Sequence, residues 1–247
     1  MTATGATDIG MQRKQNQDDF RVELHYELDQ ALLMVCDGMG GARAGDIASE
    51  MAADLFSDSF SRRRKPGMSL DYMHAVMLEA LTETNSVIYR KSCEDVNCSG
   101  MGTTIVAASI DGDDAMIMNV GDSRAYIIRG EKIERITNDH SVAEEMLRRG
   151  ELTPEQAKTY PAKNYIARAV GTSDTAEPEF YTVSLLEEDR ILLCSDGLTN
   201  MLDDEEILSV VKSCTDVSEC CNELILMANR QGGTDNITVV LYHHKMM

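Results

Sequence analysis

The chain has 247 residues, 43% hydrophobic and 26% charged, the balance of a soluble globular protein with room for one large domain or two small ones. Forty-two acidic against 23 basic residues give a formal net charge of −19, which argues against a nucleic-acid backbone or an anionic membrane as partner and suits a protein that attracts cations. No apolar run approaches the ~18 residues of a membrane span, and the seven Cys follow no regular framework, so no membrane insertion and reduced thiols are expected.

The first residues carry neither the basic start nor the apolar core of a signal peptide, and a cytoplasmic protein is expected. Residues 4–10 read as a first strand ending at Asp8-Ile9-Gly10, followed by the polar segment Arg13-Lys14-Gln15-Asn16-Gln17-Asp18-Asp19. A second strand over 20–26 alternates, with Phe20, Val22, Leu24 and Tyr26 on one face. The apolar run 31–36 reads as a buried strand that enters Asp37-Gly38-Met39-Gly40-Gly41. Glycines let backbone approach closely, so Asp37 is expected at the strand's end, in a tight turn, with its carboxylate facing a ligand.

Residues 44–61 form an amphipathic helical pattern with Ile47, Met51, Leu55 and Phe56 on one face. The basic run Arg62-Arg63-Arg64-Lys65 before Pro66-Gly67 reads as a helix C-terminus whose cations complement the dipole. A second helix is expected over 70–89. Strands over 103–110, 115–120, 123–129 and 132–136 follow as a meander. Residues 138–170 are mixed and polar, with two short helical patches, and read as an excursion from the core that serves as a flap. Strands over 179–184 and 190–194, helices over 203–213 and 216–229 and a closing strand over 237–242 complete the chain. No internal repeat or low-complexity linker divides it, so residues 1–247 are expected to form a single domain, two sheets with helices packed outside.

The Asp-at-a-strand-end pattern recurs. The strand over 115–120 runs into Gly121-Asp122-Ser123-Arg124, that over 190–194 into Ser195-Asp196-Gly197, and Gly232-Gly233-Thr234-Asp235-Asn236 precedes the last strand. With Asp18 and Asp37, this gathers five carboxylates on separate elements. Clustered carboxylates repel one another, and hard divalent cations relieve that repulsion; oxygen ligands select Mg²⁺ or Mn²⁺. Paired ions held this way fit in-line attack on phosphorus. Competing motifs fail. Cys36 and Arg43 flank a Gly-rich loop but are one residue too far apart for a cysteine phosphatase, and Asp37 beside the thiol would raise its pKa. There is no Walker A sequence, no dinucleotide fingerprint, and no zinc spacing among the Cys and His.

The whole set, from Asp8-Ile9-Gly10 with Arg13 and Asn16-Gln17-Asp18, through Asp37-Gly38-Met39-Gly40-Gly41, Gly102-Thr103-Thr104, Gly121-Asp122-Ser123-Arg124, Asp139-His140-Ser141 and Ser195-Asp196-Gly197, to Asp235-Asn236, resembles the metal-dependent PPM (protein phosphatase 2C) serine/threonine phosphatases in their compact bacterial form. The resemblance implies an α+β fold, a β-sandwich of two mainly antiparallel sheets flanked by α-helices. It implies two Mn²⁺ or Mg²⁺ ions and a weaker third. Asp37 would bridge the pair, with Asp196 and Asp235 completing one shell. The Gly38 carbonyl and, through water, Asp18 would serve the other ion. Asp122 with Asp196 would hold the third. Arg13 would bind the substrate phosphate, and Asn236 would orient Asp235. The implied reaction is direct hydrolysis of phosphoserine or phosphothreonine in proteins by a metal-bridging hydroxide, without a phosphoenzyme, in a monomer opposing a bacterial serine/threonine kinase and its targets. The chain departs from the family pattern in having Ala42 where bacterial relatives carry a His, and Met39 where eukaryotic ones do. His140 is then the candidate proton donor, and the alternative is a pseudophosphatase-like module that binds phosphoproteins with little turnover.

Overall fold

The structure, a computed structural model, describes residues 1–40, 44–162 and 165–245. Its centre is a sandwich of two antiparallel sheets. The strands are β1 (Thr2–Asp8), β2 (Asp18–His25), β3 (Gln30–Met39), β4 (Gly102–Thr103), β5 (Ile105–Asp111), β6 (Asp114–Val120), β7 (Arg124–Arg129), β8 (Lys132–Arg135), β9 (Glu179–Ser184), β10 (Arg190–Cys194) and β11 (Ile237–His243). One sheet runs β1-β11-β10-β7-β8, the other β2-β3-β5-β6-β9 with β4 added to β3. The helices are α1 (Gly45–Arg63), α2 (Leu70–Glu94), α3 (Val142–Arg148), α4 (Pro154–Thr159), α5 (Asp196–Thr199), α6 (Asp204–Ser213) and α7 (Val217–Arg230).

Side-chain alternation builds the layers. On β3, Ala31, Leu33 and Val35 face the other sheet and meet Ile191, Leu193, Val240 and Tyr242. The intervening Leu32, Met34 and Cys36 face α1 and α2. On the second sheet Leu192, Cys194, Val239 and Leu241 face α5, α6 and α7. Both faces of the central strands are therefore apolar, which is why they read as continuous hydrophobic runs.

Four sequence expectations shift. The first strand covers 2–8 rather than 4–10, because its ladder with β11 runs from Thr2 opposite His243 to Asp8 opposite Ile237. Beyond it Gly10 takes a positive φ and donates its amide to Asp8 Oδ1. Tyr26 leaves the face shared by Phe20, Val22 and Leu24, since the strand ends at His25 and Tyr26 is 59% exposed in a 3₁₀ turn. On α1 the fully buried stripe is Ala48, Ala52, Ala53, Phe56 and Phe60, whereas Ile47, Met51 and Leu55 flank it. The small alanines let the helix lie close to the sheet, and the larger aliphatics fill the margins. Finally, α2 continues past Tyr89 to Glu94.

The basic run does end α1: Arg63 pairs with Glu79 and Glu83 of α2, and Arg62 with Glu83. All seven cysteines are free. No helix among the described residues is long and apolar enough to cross a membrane. Truncating the buried Phe56 to Ala should cost about 3–5 kcal/mol of unfolding free energy by urea titration, whereas Tyr26→Ala should stay within about 0.5 kcal/mol, because only the first opens a cavity.

Candidate functional site

One end of the sandwich holds a cleft of about 770 Å³ lined by Arg13, Lys14, Asp37, Gly38, Asp122, Asp196 and Asp235, among others. Asp37 does not sit in a turn after β3. The strand continues through it to Met39, and β4 pairs with Gly38 and Met39. What fixes Asp37 is its backbone. Its N–H donates to Thr104 Oγ1 (2.9 Å), and its carbonyl accepts from the Thr104 amide (2.8 Å) and Thr103 Oγ1 (2.9 Å). A Cβ on Gly38 would stand 2.0 Å from the Gly45 carbonyl oxygen, so no other residue fits this crossing of strand and helix start. Gly45 is constrained less tightly, since its Cβ would stand 2.8 Å from the Gly38 carbonyl oxygen and 2.7 Å from Gln17 Nε2.

Asp18 lies directly opposite Asp37 in the β2–β3 ladder, behind the cleft lining. Its Oδ2 accepts hydrogen bonds from Ser195 Oγ (2.8 Å) and Thr238 Oγ1 (2.7 Å), both on the other sheet's side of the sandwich. Asp122 occupies the β6–β7 turn, where Gly121 takes φ +115° and packs against Thr104. Asp196 opens α5 rather than ending a turn, and its Oδ2 accepts from Asn200 Nδ2 (2.9 Å), one helical turn on. Asp235 Oδ2 accepts from Arg13 Nη2 (2.5 Å), and its Oδ1 from the Asn236 amide (2.8 Å).

Burial and mutual repulsion mark the group electrostatically. Burial is the largest cause in each case. It pushes Asp18 up to about 7 despite its two hydroxyl partners, with Asp196 and Asp235 adding to the shift. Asp122 is pushed up to about 8, aided by Asp196 and Asp139, and Asp196 up to about 6, aided by Asp235. Asp37 is held well above the usual carboxylate range by burial and by the charges of Asp18, Asp196, Asp122 and Asp235.

These residues fit divalent cations. Asp18 Oδ1, Asp122 Oδ1 and Asp196 Oδ1 are buried without a hydrogen-bond partner. Buried polar atoms are normally satisfied, and three such anionic oxygens on three elements of one cluster call for cations. Among the described residues no three His, Cys, Asp or Glu side chains close around one point as a preformed cage.

Two expectations are corrected by placement. His140 is fully buried and is not part of the cleft lining. Its Nδ1 accepts from the Gly121 amide (3.2 Å), its own amide donates to the Gly121 carbonyl (2.9 Å), and burial lowers its pKa. It clamps the turn that carries Asp122 and is not placed to hand a proton to a leaving group. The Asn236 side chain orients the Arg13 loop rather than Asp235. Its Oδ1 accepts from the Gln17 amide (2.9 Å), and its Nδ2 donates to the carbonyls of Ile9 (2.9 Å) and Gln15 (3.0 Å). Ala42 lies outside the described residues, as does Arg43 of the cysteine-phosphatase comparison. Cys36 faces the helix-side core, and burial holds its thiol well above the ordinary range.

Sequence reasoning missed Lys14, a second cation lining the cleft, and Asn200. Lys14 stood in the quoted polar segment without a pattern; Asn200 could have been found from its four-residue offset from Asp196. It also missed the hydroxyls of Ser195, Thr238 and Thr104, because their partners are on distant strands. The two ends of the excursion bridge to each other at Ser141 and Ile166, a cleft residue, and the excursion is joined to the sandwich by the Val170–Thr103 bridge and by the His140 amide on the Gly121 carbonyl (2.9 Å). At its base Arg124 grips Asp139 with two hydrogen bonds of 2.9 and 2.7 Å.

A family model described as protein phosphatase 2C matches residues 11–231. The serine/threonine phosphatase stp of Listeria welshimeri is 39% identical over 249 residues, covering 100% of this chain and 97% of its own length. Protein phosphatase PhpP of Streptococcus pneumoniae is 38% identical over 245 residues, covering 95% of this chain and 94% of its own. The solved serine/threonine phosphatase of S. agalactiae superposes with a TM-score of 0.90 at 36% identity, covering 97% of this chain and 98% of that one. With a cleft of buried carboxylates at the sandwich end and matches over nearly its whole length, this chain belongs to the protein phosphatase 2C family.

Proposed function

We propose that the chain is a metal-dependent protein serine/threonine phosphatase that hydrolyses phosphoserine and phosphothreonine in proteins and opposes a serine/threonine kinase. The observation that carries this reading is the trio of partnerless buried oxygens on Asp18, Asp122 and Asp196 beside Asp37 and Arg13. Asp37, Asp196, Asp235, the Gly38 carbonyl, Asp18 and Asp122 are the groups that would hold two or three Mn²⁺ or Mg²⁺ ions. When bound, such ions supply an acidified water and neutralise charge on phosphoryl oxygens.

The chain's own residues supply the rest. Arg13 sits 50% exposed at the cleft with its guanidinium on Asp235. Its remaining donors can take two oxygens of an incoming phosphate, so that one side chain links substrate and acid cluster. Asn236 sets the height of that arginine through its three bonds to the loop over 9–17. Lys14 adds a second positive charge at the rim, a favourable position for a dianion. The flap contributes Ile166 to the lining, with Tyr165 beside it 69% exposed, a surface able to contact the peptide around the phosphorylated residue.

Phosphate release from a phosphothreonine peptide should require Mn²⁺ or Mg²⁺, cease in excess EDTA and be lost in Asp37→Asn. Tight peptide binding without release under every metal condition would instead favour the phosphoprotein-binding module. Replacing Tyr165 by Ala should lower kcat/KM for the phosphopeptide about fivefold, the loss of one ~1 kcal/mol contact, and leave turnover of a small aryl phosphate unchanged. Equal losses on both substrates would remove the flap from peptide recognition.

The raised carboxylates set a pH signature. Asp18, Asp122 and Asp196 bind protons more tightly folded than unfolded, so metal-free stability is greatest below pH ~4 on their account and is lost as pH rises through about 6 to 8. The Tm of the EDTA-treated protein should therefore fall between pH 5 and 8. The increment in Tm on adding Mn²⁺ should grow over the same range, because ligation needs the deprotonated acids.

A further inference from the structure

Asp18 is wired to the opposite sheet by a directed chain of hydrogen bonds. Thr238 has one hydroxyl proton, and its Oγ1 donates it to Asp18 Oδ2 at 2.7 Å. The 2.7 Å contact between Thr7 Oγ1 and Thr238 Oγ1 must then be donated by Thr7. Thr7 in turn accepts from Asn16 Nδ2 at 2.8 Å. Every donor in the series Asn16, Thr7, Thr238 points toward the carboxylate, an order in which each bond polarises the next. Ser195 supplies the second donor to the same oxygen (2.8 Å) and is itself fixed by accepting from the Thr238 amide (2.9 Å). Ser195 and Thr238 are both fully buried.

The consequence is an asymmetric ligand. A carboxylate oxygen offers two lone pairs, and the two hydroxyls take both on Oδ2. Oδ1 is buried and partnerless, the one oxygen of Asp18 left for a cation or its water. Ca²⁺ gathers six to eight oxygens and often takes a carboxylate through both, whereas Mg²⁺ and Mn²⁺ accept six and keep waters. We infer that Ser195 and Thr238 are positioning residues that cap one oxygen of Asp18 and so bias the site toward small octahedral cations and against Ca²⁺. This inference rests on the metal-dependent reading above and names two residues outside the acid cluster through which the preference for those ions would be set.

The test is calorimetric titration of the metal-free protein with Mn²⁺ alone and with Ca²⁺ alone, for the natural chain, Thr238→Val, Thr238→Ser and Ser195→Ala, with circular dichroism as the folding control. Thr238→Val removes the hydroxyl at constant shape. It should weaken Mn²⁺ about tenfold, the usual effect of losing a ligand's hydrogen-bonding partner, while Ca²⁺ affinity holds or improves, so the ratio Kd(Ca²⁺)/Kd(Mn²⁺) falls about tenfold. Thr238→Ser should keep the natural ratio. Should Thr238→Val not fold, Ser195→Ala carries the same expectation. An unchanged ratio, with both affinities falling together, overturns the inference and leaves the metal reading intact. Absence of Mn²⁺ binding in the natural chain overturns the metal reading itself.

Discussion

Two carboxylates, Asp18 and Asp37, stand directly opposite each other on neighbouring antiparallel strands. Like charges directly opposite each other repel, and here Asp18 Oδ1 is also buried without a partner. Left alone, such a pair would part the strands or stay protonated. The fold keeps the strands paired by holding the two by different means, and burial with mutual repulsion pushes both carboxyls up in pKa. Asp37 is fixed through its backbone by Thr103 and Thr104, and Asp18 through one side-chain oxygen by Ser195 and Thr238. Deprotonating this pair therefore costs the metal-free protein stability, and a bound cation would offset that cost.

Both sheets are needed to build the site. Asp18 and Asp37 come from one sheet; Ser195 and Thr238, which hold Asp18, lie at the strands of the other. Asp122 comes from the turn where the chain crosses between them, clamped by Thr104 on one side and His140 on the other. Asn236 links the start of the last strand to the Arg13 loop. Behind the site the two sheets pack apolar side chains against each other, among them Leu33, Val35, Leu193 and Val240. Helices on both outer faces leave the cleft open, and the excursion over 138–170 contributes Ile166 to its lining.

The same arrangement explains why buried histidines and cysteines take no direct part. Cys36 adjoins Asp37 in sequence, yet strand alternation turns it to the helix side, where burial keeps it a neutral thiol. His140 lies next to the Asp122 turn in the fold but is fully buried and is not among the residues that line the cleft. Its carbonyl accepts from the Ala167 amide at 2.7 Å, so it anchors the flap while its ring steadies the Asp122 turn. Proximity in sequence or space is thus insufficient; the face a strand presents decides which group meets a substrate.

The sequence by itself determined the layers, the order of most elements and the identity of the acids. Apolar runs with period two, helical stripes and Asp-Gly punctuation are local properties, set by backbone geometry and burial on each element alone. Its errors were also local in origin. It rotated the buried stripe of α1 toward Ile47 and Met51 because periodicity cannot tell that alanines make the closest contact, and it ended β3 before Asp37 because β4 is two residues long and far away in the chain. Only the tertiary structure decided what the acids and their neighbours do. It set Asp18 opposite Asp37, gave the Asn236 side chain to the Arg13 loop, buried His140 and brought Lys14 to the cleft. It also left three carboxylate oxygens without partners. Those outcomes depend on pairings across as many as 227 residues, such as Asn236 with Ile9, and a hydrogen bond of that span leaves no periodic trace in the sequence.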